Sequence, residues 1–220
     1  MKTYRNQTLL NVNADHFIEC STPEHVYLLG FIWADGTVLS GYKMKSIRVE
    51  ITEADMKELK PVFESTGKWG YTHRERAGRQ PQVSAQCDNA KLVDFLVEND
   101  YLNKSVVSPD KIMSHIPKHL VEFFIRGWSD GDGCFYHGKT SNQFTMAGTY
   151  DQDWSALSNL LENLGIRASI KRRVVNSYKS SYLRISNKIG IKKFGEFIYD
   201  THRTIGLPRK VEKYLLTTQS

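Results

Sequence analysis

Leu28-Leu29-Gly30-Phe31-Ile32-Trp33-Ala34-Asp35-Gly36 and Ile125-Arg126-Gly127-Trp128-Ser129-Asp130-Gly131-Asp132-Gly133 are two versions of one pattern. Gly30, Ala34, Asp35, Gly36 and Gly41 recur as Gly127, Gly131, Asp132, Gly133 and Gly138, always 97 residues later. A fixed offset between matched residues marks an internal repeat, and the chain reads as two copies of one unit. Each stretch reads as a helix. Thr22-Pro23-Glu24 supplies a hydroxyl N-cap, a proline at the first helical position and an acid in the first turn, and Gly36 ends the helix.

Outward from these helices the pattern changes period. Residues 46–52 alternate, with Ile47, Val49 and Ile51 toward a core and Ser46, Arg48 and Glu50 away from it, as in a half-buried antiparallel strand. Copy two repeats this, with Phe144 and Met146 inward against Gln143 and Thr145 outward. Helical spacing follows in both copies, through Met56, Leu59 and Phe63, then Trp154, Leu157, Leu161 and Leu164. Further strand pairs are expected at 68–75 with 82–87 and at 168–175 with 182–186, their facing open by one residue. The order is αββαββα, repeated. It predicts an α+β protein of two pseudosymmetric units with antiparallel sheets, divided as 1–108 and 109–220. Residues 99–116 read as the connection, and those from 200 onward as a basic extension.

Within each first helix small residues stand four apart, Gly30 with Ala34 and Gly127 with Gly131, on one helix face. Glycine inside a helix costs about 1 kcal/mol relative to alanine, and close approach of two backbones would offset that. The two helices are therefore expected to pack together, bringing Asp35 and Asp132 side by side. Both acids would face the negative ends of helix dipoles and repel each other. A divalent cation reverses that sign, because Mg²⁺ takes one or two carboxylates and completes its shell with water and phosphate oxygens. Paired acids beneath a basic surface fit metal-assisted phosphodiester hydrolysis.

Composition narrows the field. The chain has 220 residues, 30 Lys+Arg against 24 Asp+Glu, and 40% hydrophobic residues, which excludes disorder and leaves room for a packed core. Residues 1–109 carry 13 basic and 14 acidic side chains, and 110–220 carry 17 and 10, so the excess charge lies in the second half and points to a polyanion. Cys20, Cys87 and Cys134 are widely spaced with no CxxC pair, as expected of reduced thiols. The longest apolar run, 26–34, is too short to span a bilayer and no apolar leader follows Lys2 and Arg5, so an intracellular protein is expected.

On these residues the chain resembles the LAGLIDADG homing endonucleases of the two-motif type. The resemblance implies a monomer whose two halves each lay a sheet into the major groove of double-stranded DNA, cutting both strands of a long site with a stagger. It makes Asp35 and Asp132 the metal-binding catalytic acids, with the carbonyls of Ala34 and Gly131 as further candidate ligands. Mg²⁺ is the expected cofactor, or another divalent cation such as Mn²⁺, with Ca²⁺ able to bind without supporting cleavage. Candidate DNA contacts are Ser46, Arg48, Glu50, Arg74, Arg76, Gln143, Thr145, Lys171, Arg173 and Arg184. Trp33 departs from the pattern, since an acid commonly stands there, whereas Asp130 keeps it as a packing residue. No counterpart is evident to the lysine or glutamine that some members hold near the metals. Free-standing and intron-encoded origins both fit.

Other readings compete. Asp-Gly can simply mark a turn after a helix, an explanation that weakens when the pair recurs at matched spacing. Residues 133–140 match GxxxxGK[ST], but a helix precedes them and a strand follows, the reverse of a nucleotide-binding loop. His115 and His119 lack the glutamate of a zinc helix and flank Pro117, so they read as a solvated pair. The main alternative is a binding module on the same scaffold, an RNA-splicing maturase or a DNA-binding regulator without cleavage. A pure binder would gain nothing from carboxylates aimed at phosphate.

Overall fold

A computed structural model of the chain describes residues 12–41, 44–75, 77–139, 141–199 and 205–219. A short helix, α1 (Ala14–Ile18), precedes α2 (Pro23–Asp35), which starts as its sequence predicts: Thr22 caps it by accepting from the His25 N–H, and Gly36 follows its last turn. The first copy continues through β1 (Gly36–Gly41), β2 (Met44–Thr52), α3 (Glu53–Ser65), β3 (Gly70–Arg74), β4 (Gln82–Asp88) and α4 (Ala90–Glu98). A connection with a 3₁₀ turn at Tyr101–Asn103, the short helix α5 (Asp110–Met113) and a second 3₁₀ turn at Lys118–Leu120 leads to α6 (Val121–Asp132). The second copy then adds β5 (Gly133–His137), β6 (Asn142–Thr149), α7 (Ser155–Asn163), β7 (Ser169–Val175), β8 (Tyr178–Ile185) and α8 (Lys188–Ile198). Each copy folds into a four-stranded antiparallel sheet of the same topology, β1-β2-β4-β3 and β5-β6-β8-β7. This is the α+β architecture expected from the repeat.

The core is one continuous apolar cluster with α2 and α6 at its centre. Val26 through Trp33 are all buried, so α2 meets protein around its whole circumference. The glycines explain how the two helices cross. A Cβ on Gly30 would lie 2.0 Å from the carbonyl oxygen of Phe124, and one on Gly127 would lie 2.0 Å from that of Tyr27. Only hydrogen fits at either point.

Three expectations needed adjustment. Strand β8 begins at Tyr178, four residues early, because Asn176 and Ser177 both adopt left-handed backbone angles (φ 46° and 68°) and close a two-residue hairpin without glycine. The C-terminal residues form α9 (Pro208–Gln219), which packs on β5 and α8 and buries Lys210, Tyr214 and Thr217 rather than trailing as a basic extension. Ser46 lies on the outward face of β2, but it is fully buried, with the Gln86 amide over its hydroxyl at 3.4 Å.

Candidate active site

Asp35 and Asp132 are the last residues of α2 and α6, whose close crossing sets the two carboxylates together. An ideal Cβ on Gly131 would stand 2.4 Å from the Ala34 Cβ and 3.0 Å from Asp35 Oδ2, so Gly131 keeps the second helix clear of the first acid. Burial raises both acids above the usual carboxylate range, and the Asp35 charge further disfavours ionisation of Asp132. Asp132 is pushed up to about 6, by burial first and then by Asp35. Asp35 shifts the same way for the same first cause, with Lys104 and Lys210 opposing it.

Two lysines answer this negative charge, and neither was foreseen from the sequence. Lys104, on the connection between the copies, donates to the carbonyls of Trp33 and Ala34 at 2.8 Å and of Gly36 at 2.9 Å. It thereby caps the carbonyl end of α2. Burial lowers its pKa to about 8, while Asp132 and Asp35 hold it up. Lys210 reaches from α9 to the carbonyl of Gly133, the counterpart of Gly36. The repeat thus extends to a lysine at each acid-bearing helix end, delivered in one copy by the connection and in the other by the last helix. Such a lysine shows no local signature, since its role exists only once the helix end it caps is in place.

The residues around the acids are also fixed. Tyr101 donates to the Ile32 carbonyl at 2.7 Å and packs edge-on against Trp33, which fills with an aromatic ring the place where copy two has Asp130. Asp130 is buried and accepts from the Tyr27 and Tyr199 hydroxyls, both at 2.8 Å, and from the Leu207 N–H at 2.9 Å. That satisfied network is structural. Beside Asp132 a cavity of about 200 Å³ is lined by Trp33, Ala34, Lys104, Trp128, Thr149 and Gln152 among others. A larger hollow of about 580 Å³ between α3 and the β3–β4 hairpin, floored by Met56, Tyr71 and Val83, contains neither acid.

The donor set suits hard divalent cations: two buried carboxylates, that of Asp132 further disfavoured by the Asp35 charge, with carbonyls nearby. Asp35 and Asp132 would each hold one. The Ala34 carbonyl already accepts from Lys104, which leaves it one lone pair for a cation. Gly131 stands on the last turn of α6 beside the pair.

The outward sheet faces carry the other candidates. Strand register places Arg48 and Glu50 of β2 on the face shared with Gln86 of β4 and Arg74 of β3. Arg74 Nη1 donates to Glu50 Oε2 at 2.8 Å, so these two hold each other. In the second sheet Gln143, Thr145, Arg184, Lys171 and Arg173 share one face, with Tyr182 between them. The neighbouring Arg172 turns to the opposite face and donates to the Tyr150 carbonyl at 3.0 Å. Arg76 lies outside the described residues. Ser46, as noted, has no free surface. His115 and His119 are exposed, and His115 lies 3.1 Å from the Asn99 amide oxygen. Gly133 opens a strand, not a helix, which removes the structural context of a nucleotide-binding loop.

Residues 120–199 match the model of the LAGLIDADG-like domain. No curated protein matches the chain. Among solved structures, the homing endonuclease I-WcaI bound to its DNA recognition sequence is 17% identical, with 97% of this chain and 95% of that one covered and a TM-score of 0.59. I-DmoI in complex with DNA and Ca is 18% identical over 89% of this chain and 96% of that one, with a TM-score of 0.56. An I-DmoI variant with nicked target DNA and Mn is 16% identical over 84% and 98%, at 0.58. The chain has the fold of the single-chain LAGLIDADG homing endonucleases.

Proposed function

We propose, from the fold shared with those endonucleases, that this protein is a site-specific endonuclease that cuts both strands of a DNA duplex with the help of divalent metal. The observation that carries the reading is the pairing of Asp35 and Asp132 at abutting helix ends, both raised by burial and Asp132 further by the Asp35 charge. Nothing in the packing of α2 and α6 requires acids there, and without a cation they weaken the fold. Bound metal would stabilise the attacking and leaving oxygens of an in-line displacement at phosphorus. The chain's own groups set the stage for it. Each carboxylate would hold a cation for its own strand, while Lys104 and Lys210 neutralise the carbonyl ends of the helices that present those acids. The sheets, one from each half (1–108 and 109–220), would lie along the major groove, with Arg48, Arg74, Gln143, Thr145, Lys171, Arg173 and Arg184 toward the bases and phosphates.

The test is incubation of a random duplex library with Mg²⁺ or Mn²⁺, beside an Asp35→Asn, Asp132→Asn double variant. Discrete cut sites from the unmodified protein alone are expected. Selective binding with no cutting would refute the nuclease and point to the maturase or regulator, for which RNA is the next ligand.

A further inference from the structure

The two acids are not held alike. Asp132 Oδ2 accepts from the indole N–H of Trp128, one turn back on α6, at 3.2 Å. The corresponding residue of the first copy is Phe31, which has no donor. Among the described residues no side-chain hydrogen bond reaches Asp35. The indole itself cannot turn. It is 2% exposed and lies parallel to Trp154 with ring centres 6.0 Å apart and planes 10° from coplanar. Trp154 is pinned in turn, donating to Ser181 Oγ at 2.9 Å, and Ser181 donates to the Thr149 carbonyl at 2.6 Å. Trp128 and Thr149 also line the cavity that opens beside Asp132.

A carboxylate with one oxygen tied to a rigid donor has lost the rotation about its last bond, and its other oxygen points in a set direction. Partners of this kind orient metal ligands, and their removal typically weakens metal affinity or activity about 10- to 100-fold. The geometry points to Trp128 as a positioning residue that makes the two half-sites unequal: the half built on Asp132 binds its divalent cation more tightly and cuts its strand first. This inference rests on the nuclease reading above and adds to it an order of strand cleavage.

The experiment uses the full chain, a supercoiled plasmid carrying the target recovered from the library, and separate labels on the two strands. The unmodified protein is expected to build up nicked circles cut in one particular strand. In Trp128→Phe that strand should slow about tenfold, the other should stay within about twofold, and high Mn²⁺ should restore the slow strand. Mn²⁺ titration of the protein–DNA complex by electron paramagnetic resonance should show one of the binding events weakened by a similar factor. Because Phe is smaller than Trp, a second variant carries benzothienylalanine at position 128, which keeps the ring shape and removes only the donor. Equal slowing of both strands, or unchanged Mn²⁺ binding in the benzothienylalanine protein, overturns the proposal. A protein that never cuts removes the nuclease reading instead, and the Mn²⁺ titration then decides the role of Trp128 by itself.

Discussion

Asp132 titrates near 6 against an ordinary value of 3.8, and the direction of that shift has consequences for the metal-free protein. A carboxyl raised on folding keeps its proton in the folded state where the unfolded chain has lost it. Its contribution is therefore intact below about 4 and falls away as pH rises to about 6. Above that window Asp132→Asn should stabilise the metal-free protein by about 1–2 kcal/mol, a rise of a few degrees in Tm by thermal denaturation in EDTA. Added Mg²⁺ should raise the Tm of the unmodified protein and leave the double Asn variant unmoved. Lys104, near 8, gives a second step. Ionisation of Asp132 adds a negative charge and deprotonation of Lys104 removes a positive one, so metal-free affinity for duplex DNA should fall through pH 6 and again through pH 8. Binding isotherms in EDTA should show both steps, with the upper one gone in Lys104→Met. The two acids were legible from the sequence because repetition singles them out. The lysines were not, since each comes from a segment that shares no pattern with the copies.

At the scale of the elements, the α2–α6 crossing is the least forgiving feature. Gly127→Ala would drive a methyl group to 2.0 Å from the Tyr27 carbonyl and 2.7 Å from the Phe31 nitrogen, both backbone atoms that cannot step aside. A loss of about 3–5 kcal/mol is expected, measurable as a fall in the midpoint of urea unfolding. The spacing of Gly30, Ala34, Gly127 and Gly131 made this contact readable in advance, because glycine inside a helix is a cost that needs an explanation. The faces of β2 and β6 were readable for the same kind of reason, through alternation, while those of the later strand pairs stayed open by one residue. What alternation cannot supply is cover: Ser46 faces outward by parity, yet the Gln86 side chain from the adjacent strand lies over it. The start of β8 was also hidden, because its hairpin uses Asn176 and Ser177 where glycine would have announced a turn.

Across the whole molecule the two sheets differ in charge. The outward face of the first carries Arg48 and Arg74 against Glu50 and Asp88, while that of the second carries Lys171, Arg173 and Arg184 with no acid opposite among the described residues. Lys171→Ala or Arg173→Ala should therefore weaken binding to all duplexes alike and lower the slope of log affinity against log salt by about 0.9 each. Arg74→Ala should change that slope less, because Glu50 already pairs with it, and should relax base preference at one position in a selection from randomised sites. The excess of basic residues after 109 foretold this imbalance, though not which side chains face outward. The central helix has a further consequence, one of time. Every side of α2 is apolar and buried, but its main partner, α6, lies 97 residues further along the chain. At roughly 5–20 residues per second of synthesis, the first helix waits about 5–20 s for the second. For that interval the newborn first half exposes a surface meant for its own sequel. Such a half-made chain is a natural client for chaperones, and two of them on one messenger can pair with each other in place of their own second halves.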